Sequence, residues 1–187
     1  MSIPTVSMPK IAIVSSSLST NSRSRIMSTY AVESLSRLGY DAALLDLAKC
    51  EVLPYPQSRD SAALKEATAQ FNAAHGWVLA APVYNFGASG VLLNFLHYAL
   101  DSDFGRWKPF VLMSSMGGQR SAMALDHVAR TMVYEVSAVQ VGSTINNFGD
   151  TGANRDTGEM SADLRQRMDT QLEVLGRFVQ ARFEMDK

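Results

Sequence analysis

The sequence predicts an α/β domain built on a doubly wound, five-stranded parallel sheet of order 2-1-3-4-5, with helices on both faces. Two observations carry that prediction. Five short apolar runs alternate along the chain with segments whose apolar residues recur at helical spacing. Strands joined in this way need right-handed crossovers, which put helices on both sides of the sheet. At 187 residues the chain is long enough for one well-buried domain and short for two. Residues 1–9 read as a mobile leader and residues 10–187 as a single domain.

The elements follow in order. Residues 10–15 (KIAIVS) are the first strand. Residues 22–38 carry Ile26, Tyr30, Leu35 and Leu38 at helical spacing, and Gly39 stops them. A second strand is expected at 40–47, a Pro54- and Pro56-containing loop at 48–60, and a helix at 61–74 that Gly76 ends. The third strand is expected at 77–81, closed by Pro82. After it come a helix at 89–100, a fourth strand at 109–114, a helix at 121–136 and a fifth strand at 139–145. Residues 146–160 read as a polar loop and 161–183 as the closing helix. Five strands so connected give the flavodoxin-like order, in which ligands bind beyond the carboxyl ends of the strands where the order reverses. The loops after strands 1, 3 and 4 are therefore the places to search.

Composition excludes several classes of function. A formal charge of −1 offers no general attraction to nucleic acid or to an anionic membrane. Runs such as 77–83 fall far short of the roughly 20 residues that cross a bilayer. The lone Cys50 has no internal disulfide partner, which suits a reducing cytoplasm.

The loop after the first strand supplies Ser15, Ser16, Ser17, Ser19, Asn21, Ser22 and Ser24 and runs into a helix whose first turn holds Arg23 and Arg25. Two cations at the positive end of a helix call for a negative partner, and free backbone N–H groups there favour a phosphate. The glycines of a dinucleotide loop and the lysine of a nucleotide-triphosphate loop are both missing, so hydroxyl and amide donors point to a terminal phosphate monoester such as that of FMN. The alternative is a serine-capped helix with solvated arginines. After the third strand, Pro82, Val83, Tyr84, Asn85 and Phe86 offer aromatic surface and an amide for a heterocycle edge, with Gly87 and Gly90 to turn the chain. After the fourth, Ser115, Met116, Gly117, Gly118, Gln119 and Arg120 place a glycine pair whose backbone N–H groups suit ligand carbonyls.

Together these loops resemble the NAD(P)H-dependent FMN reductase family of flavodoxin-like quinone, azo and flavin reductases. The family's G-S-x-R-x-x-S is matched by Ser16-Ser17-Leu18-Ser19-Thr20-Asn21-Ser22, its P-x-Y-N by Pro82-Val83-Tyr84-Asn85, its P-G-x-L-K-N by Ser89-Gly90-Val91-Leu92-Leu93-Asn94, and its glycine pair by Gly117-Gly118. The likeness covers about residues 10–145. Ser19 stands where the family has arginine, Ser89 where it has proline and Leu93 where it has lysine. The resemblance implies FMN as cofactor, NADPH or NADH as hydride donor, and a small-molecule flavin, quinone, azo or similar acceptor. It assigns Ser17, Ser19, Asn21, Ser22, Arg23 and Ser24 to the phosphate, Pro82 to Phe86 to the ring and ribityl chain, and Ser115 to Arg120 to the pyrimidine edge. No side chain is required as nucleophile or base; Arg120 is the candidate for assisting the reduced ring.

Other readings fare worse. Ser89, His97 and Asp101 lie on or beside one helix, but the surrounding GASGV is not a nucleophile elbow and Ser89 is about two turns from His97. His75, His97 and His127 are scattered and Cys50 is single, which gives no metal motif. No acidic pair follows the first strand, as a receiver domain requires. An electron carrier of the flavodoxin type shares the fold, but such carriers are strongly acidic, whereas this chain balances 18 acidic against 17 basic residues. Finally, VLLNFLHYAL at 91–100 is apolar nearly all round, which predicts a homodimer or dimer of dimers with Phe95, Tyr98 and Trp107 as anchors; the closing helix or the loop at 48–60 is the alternative cover.

Overall fold

The computed structural model describes residues 8–100 and 106–186; most of the leader expected at 1–9, and Asp101, lie outside them. The parallel strands are β1 (Lys10–Ser15), β2 (Asp41–Asp46), β3 (Gly76–Tyr84), β5 (Pro109–Met116), β6 (Val139–Gln140) and β7 (Ile145–Phe148). Gly87–Ala88 forms a short β4 antiparallel to the end of β3. The sheet runs β2-β1-β3-β5-β6, with β7 also on β5. Since β6 and β7 are two pieces of one edge, this is the order 2-1-3-4-5.

Alternation along the buried strands sends side chains to two cores. Ile11, Ile13, Val78 and Val111 meet Met27 and Leu35 of α1 (Arg23–Arg37) and Leu172 and Val179 of α5 (Ala162–Met185). Val14, Trp77, Leu79 and Leu112 meet Phe71 of α2 (Ala62–Ala73), Leu92 and Phe95 of α3 (Gly90–Ala99), and Val128 of α4 (Asp126–Val136). Four helices start on serine N-caps, and in three of them the hydroxyls of Ser61, Ser89 and Ser161 accept from Leu64, Leu92 and Leu164 N–H.

Three elements differ from expectation. β3 does not stop at Pro82 but continues to Tyr84. Its pairing with β1 ends at Ser15↔Ala80, so Pro82 is paired only on the β5 side, through Ser115, and its missing N–H is tolerated there. The fifth strand is interrupted at 141–144, where Gly142 takes φ +69°, and resumes through Phe148, three residues beyond its expected end. The helix expected from 121 begins at Asp126, after a single 3-10 turn at Gln119–Ser121.

The apolar surface of α3 finds its cover within the chain. Phe95 is 0% exposed and packs edge-on to Phe71, so it cannot anchor a second subunit. Tyr98 Oη donates to the Leu53 and Pro54 carbonyls and accepts from Ser58 N–H, while Tyr55 N–H donates to Asn94 Oδ1. Trp107 stays exposed. Among the described residues no helix is long and apolar enough to cross a membrane.

Candidate functional site

Beyond the carboxyl ends of β1, β3 and β5 lies a cavity of about 250 Å³, lined by Ser17, Ser19, Asn21, Ser22, Arg23, Pro82, Val83, Tyr84, Ser115, Met116, Gly117 and Arg155. All three loops singled out in the sequence meet there. Grooves of about 420 and 450 Å³ elsewhere lie against α1 and the entry to α5, away from these strand ends.

The first wall is the loop from β1 into α1. Ser22 is the N-cap of α1, yet its hydroxyl accepts from no backbone N–H of the helix; it pairs with the side chain of Ser24 at 2.9 Å. No acidic residue occupies the first turn, so that turn's amides have no side-chain acceptor and remain available to an anion. Ser19 N–H donates to Ser17 Oγ at 3.3 Å, and Ser17 is itself buried. Ser24 lies behind this wall: it is buried, and it touches the cavity only through Ser22.

The two arginines separate. Arg25 turns away, pairing with the Asp46 carboxylate and donating from Nη2 to the Ser17 carbonyl at 2.9 Å. Arg23 faces the cavity and pairs with Asp150 at 2.7 Å. The structure therefore supplies internal counter-ions for both cations, where the sequence suggested a ligand alone. The Arg23 hydrogen bond holds the Asp150 carboxyl below its usual range.

The second wall is the end of β3. Tyr84 pairs with Gly87, and the two residues between, Asn85 and Phe86, take φ +48° and +63°, as the type I′ turn of a tight hairpin requires. These two residues, not Gly87 and Gly90, turn the chain sharply. Asn85 and Phe86 project from the tip and do not line the cavity; Phe86 is 66% exposed. The third wall is the end of β5. Gly117 and Gly118 do not adopt positive φ, and a Cβ at either would meet nothing within 4 Å, so the pair leaves open space rather than an alternating nest. Gly118 and Gln119 flank the cavity without lining it, and the side chain of Arg120 lies outside the described residues.

Arg155 was not anticipated. It follows β7 in the segment read as a plain loop, and Asn147 puts that segment in place: its amide donates to the Gly149 carbonyl at 3.1 Å and to Ser115 Oγ at 3.4 Å, and its Oδ1 accepts from Ala153 N–H at 3.0 Å. A glycine-flanked acid just beyond a strand end, Gly149-Asp150, was the available signal. The hydrolase alternative has no geometry: Ser89 Oγ is committed to Ser16, His97 lies against Tyr55, and Asp101 is outside the described residues. Among the described residues no three metal-ligating side chains come together.

The donor set fits a phosphate: hydroxyls, an amide, uncapped helix N–H groups and two arginines converge on one small cavity, with open space beside the glycine pair for a flat ring. The sequence profile of the NADPH-dependent FMN reductase family matches residues 9–151. The fold is that of an oxidoreductase from Corynebacterium diphtheriae (20% identity, 93% of this chain and 98% of that one, TM-score 0.74). It is equally that of the NADH:FMN oxidoreductase EmoB in its apo form (20%, 94% and 90%, 0.74). FerB from Paracoccus denitrificans, a flavoenzyme NAD(P)H:(acceptor) oxidoreductase, aligns at 13% identity over 92% of this chain and 98% of its own, with a TM-score of 0.73. No curated protein sequence matches the chain.

Proposed function

The chain belongs to the NADPH-dependent FMN reductase family and is a flavin-dependent NAD(P)H oxidoreductase; we propose that its flavin is FMN, that NADPH or NADH reduces it, and that a small-molecule flavin, quinone, azo or similar compound takes the electrons. The observation that carries this reading is the convergence of the uncapped start of α1, the Ser17–Ser22 donors and Arg23 on one cavity at the strand ends. A negative phosphate there would gain charge-assisted hydrogen bonds that water-exposed donors do not offer a neutral ligand. At about 250 Å³ the cavity falls below the roughly 300–1,000 Å³ of pockets that enclose a whole ligand. It suits the polar arm of the cofactor and leaves the ring at the open side, which an enzyme with two successive substrates needs.

When bound, the flavin supplies the hydride and electron chemistry. The chain's residues bind and orient it. Ser17, Ser19, Asn21, Ser22 and Arg23 take the phosphate, and Ser24 fixes the Ser22 hydroxyl from behind. Pro82, Val83 and Tyr84 meet the ribityl chain and ring, with Asn85 and Phe86 at the hairpin tip above it. Ser115 to Gln119 present backbone N–H groups to the pyrimidine edge, and Arg120 offsets negative charge that gathers there on reduction.

The acceptor is the small-molecule partner. A second copy of the chain, as a homodimer or dimer of dimers, now rests on exposed Trp107, Met123 and Tyr134 rather than on α3. A reducing cytoplasm is the proposed compartment.

The test is to load the purified protein with FMN and add NADPH or NADH under argon. Bleaching of the visible flavin band without any partner reductase, and its return on adding quinone or free flavin, is the expected result. If neither nicotinamide bleaches it while dithionite does, the protein is a carrier and not a reductase.

A further inference from the structure

Asp150 does not line the cavity but pairs with Arg23, which does, as an anion of the chain's own. Its Oδ1 accepts from Arg23 Nε at 2.8 Å and Nη2 at 2.7 Å, and after Arg23 the charge of Arg155 also favours the ionised carboxylate. Two donors of the guanidinium fork are thereby taken, and a fork is what a phosphate would engage in pairs. The acid is held there. Gly149, at φ +58°, reverses the chain just before it, and buried Asn147 fastens the turn to Ser115 of β5 and to Ala153. The Arg23 side chain is 18% exposed and that of Asp150 47%, so the acid sits on the solvent side of the cation.

We propose that Asp150 competes with the phosphate of the flavin for Arg23, and so keeps the flavin exchangeable with solution rather than permanently held. The proposal rests on the phosphate reading of the cavity. A phosphate arriving beside Ser22 must break or share the Arg23–Asp150 pair, and it meets a carboxylate of its own sign while doing so. At the dielectric of a partly exposed site, a like charge several ångströms away weakens binding about tenfold. A riboflavin molecule, which has no phosphate, would not feel it.

The experiment is a titration of the apoprotein with FMN and with riboflavin, read by flavin fluorescence at low and high salt. Wild type, Asp150→Asn, Asp150→Ala, Arg23→Gln and the double variant Arg23→Gln/Asp150→Asn are compared. Both Asp150 variants should bind FMN about tenfold more tightly at low salt, with riboflavin unchanged. The gain should shrink in high salt, and it should be smaller between Arg23→Gln and the double variant, where only the direct repulsion is left to remove. If wild type prefers FMN over riboflavin but neither Asp150 variant tightens it, the competition is wrong and the phosphate site stands. If FMN and riboflavin bind equally in wild type and in both Asp150 variants, the phosphate site is wrong and the competition falls with it.

Discussion

Ser89 Oγ donates to Ser16 Oγ at 2.9 Å, and Ser16 Oγ donates in turn to the Ala80 carbonyl at 2.9 Å. The N-cap of α3 is thus tied to the loop after β1 through two buried hydroxyls. The same Ser89 oxygen accepts from Leu92 N–H, so one side chain both starts a helix and fixes a wall of the cavity. Replacing Ser89 with Ala removes the cap and the tie together. The expected loss is about 1–2 kcal/mol of stability, with FMN binding weakened severalfold because the Ser17–Ser22 donors are no longer held against β3. Urea unfolding and FMN titration on the same variant check this; undiminished flavin affinity would show that the tie does not position the loop.

Phe86 adopts φ +63° although it has a bulky side chain and is largely exposed. Left-handed backbone costs a non-glycine residue roughly 1–2 kcal/mol, and no burial of the ring offsets that here. Phe86→Gly should therefore raise thermal stability, by about 1 kcal/mol. On the proposed placement of the flavin ring beneath the hairpin tip, it should also lower turnover severalfold, because the tip loses its aromatic face. Gain of stability with unchanged turnover would leave the strain without a function.

How far the sequence was legible follows from where each constraint lies. β1, α2 and α3 were readable to within a residue or two because their signals are local: an apolar run, and serines that cap their own helices. The end of β3 was misread because the proline rule holds only where both neighbours pair, and β1 stops at Ser15. The break in the fifth strand comes from tertiary contact. At Gly142 a Cβ would collide with the Gln171 side-chain amide of α5, which no local pattern reveals. The site divides in the same way. Serines, glycines and aromatics at strand ends announced the three loops, whereas Asp150 and Arg155 are put there by Asn147 bonding across 32 residues to Ser115. Arg23 and Arg25 look alike in sequence; only the fold gives one to the cavity and the other to Asp46.

At the opposite end of the sheet His75 Nδ1 accepts from Lys10 N–H at 2.9 Å, and its ring meets Phe183 edge-on at 4.7 Å. Burial, followed by the charge of Lys108, lowers the His75 pKa below 6.5. Lys108, its own amine lowered to about 8, is charged over the acidic range, while Lys10 adds a second cation and Asp186 opposes them. A depressed histidine pKa means that the unfolded chain takes up the proton first. Its contribution is whole above pH 6.5 and is lost as pH falls from there toward the folded value. Urea midpoints should thus fall between pH 7 and 5 in wild type and fall less steeply in His75→Gln. Parallel profiles would mean that another group controls the acid limb.

Tyr98 makes three hydrogen bonds to the backbone of the loop after β2, at Leu53, Pro54 and Ser58, and Tyr55 packs on its ring at 5.1 Å. This is the cover of α3, and it separates two outcomes that the sequence alone left together. If a second subunit shielded α3, disturbing Tyr98 would dissociate the protein. Since the chain's own loop does so, Tyr98→Phe should free that loop while leaving assembly alone. Losing bonds to partly buried backbone groups should cost about 1–2 kcal/mol. The change should appear as faster amide exchange and easier proteolysis confined to residues 50–60, with the light-scattering mass equal to that of wild type. Phe95→Asp should go further, burying a charge in the core between α2 and α3, and unfold the protein rather than yield a folded monomer. A folded, dissociated Phe95→Asp protein would show that α3 faces a partner after all.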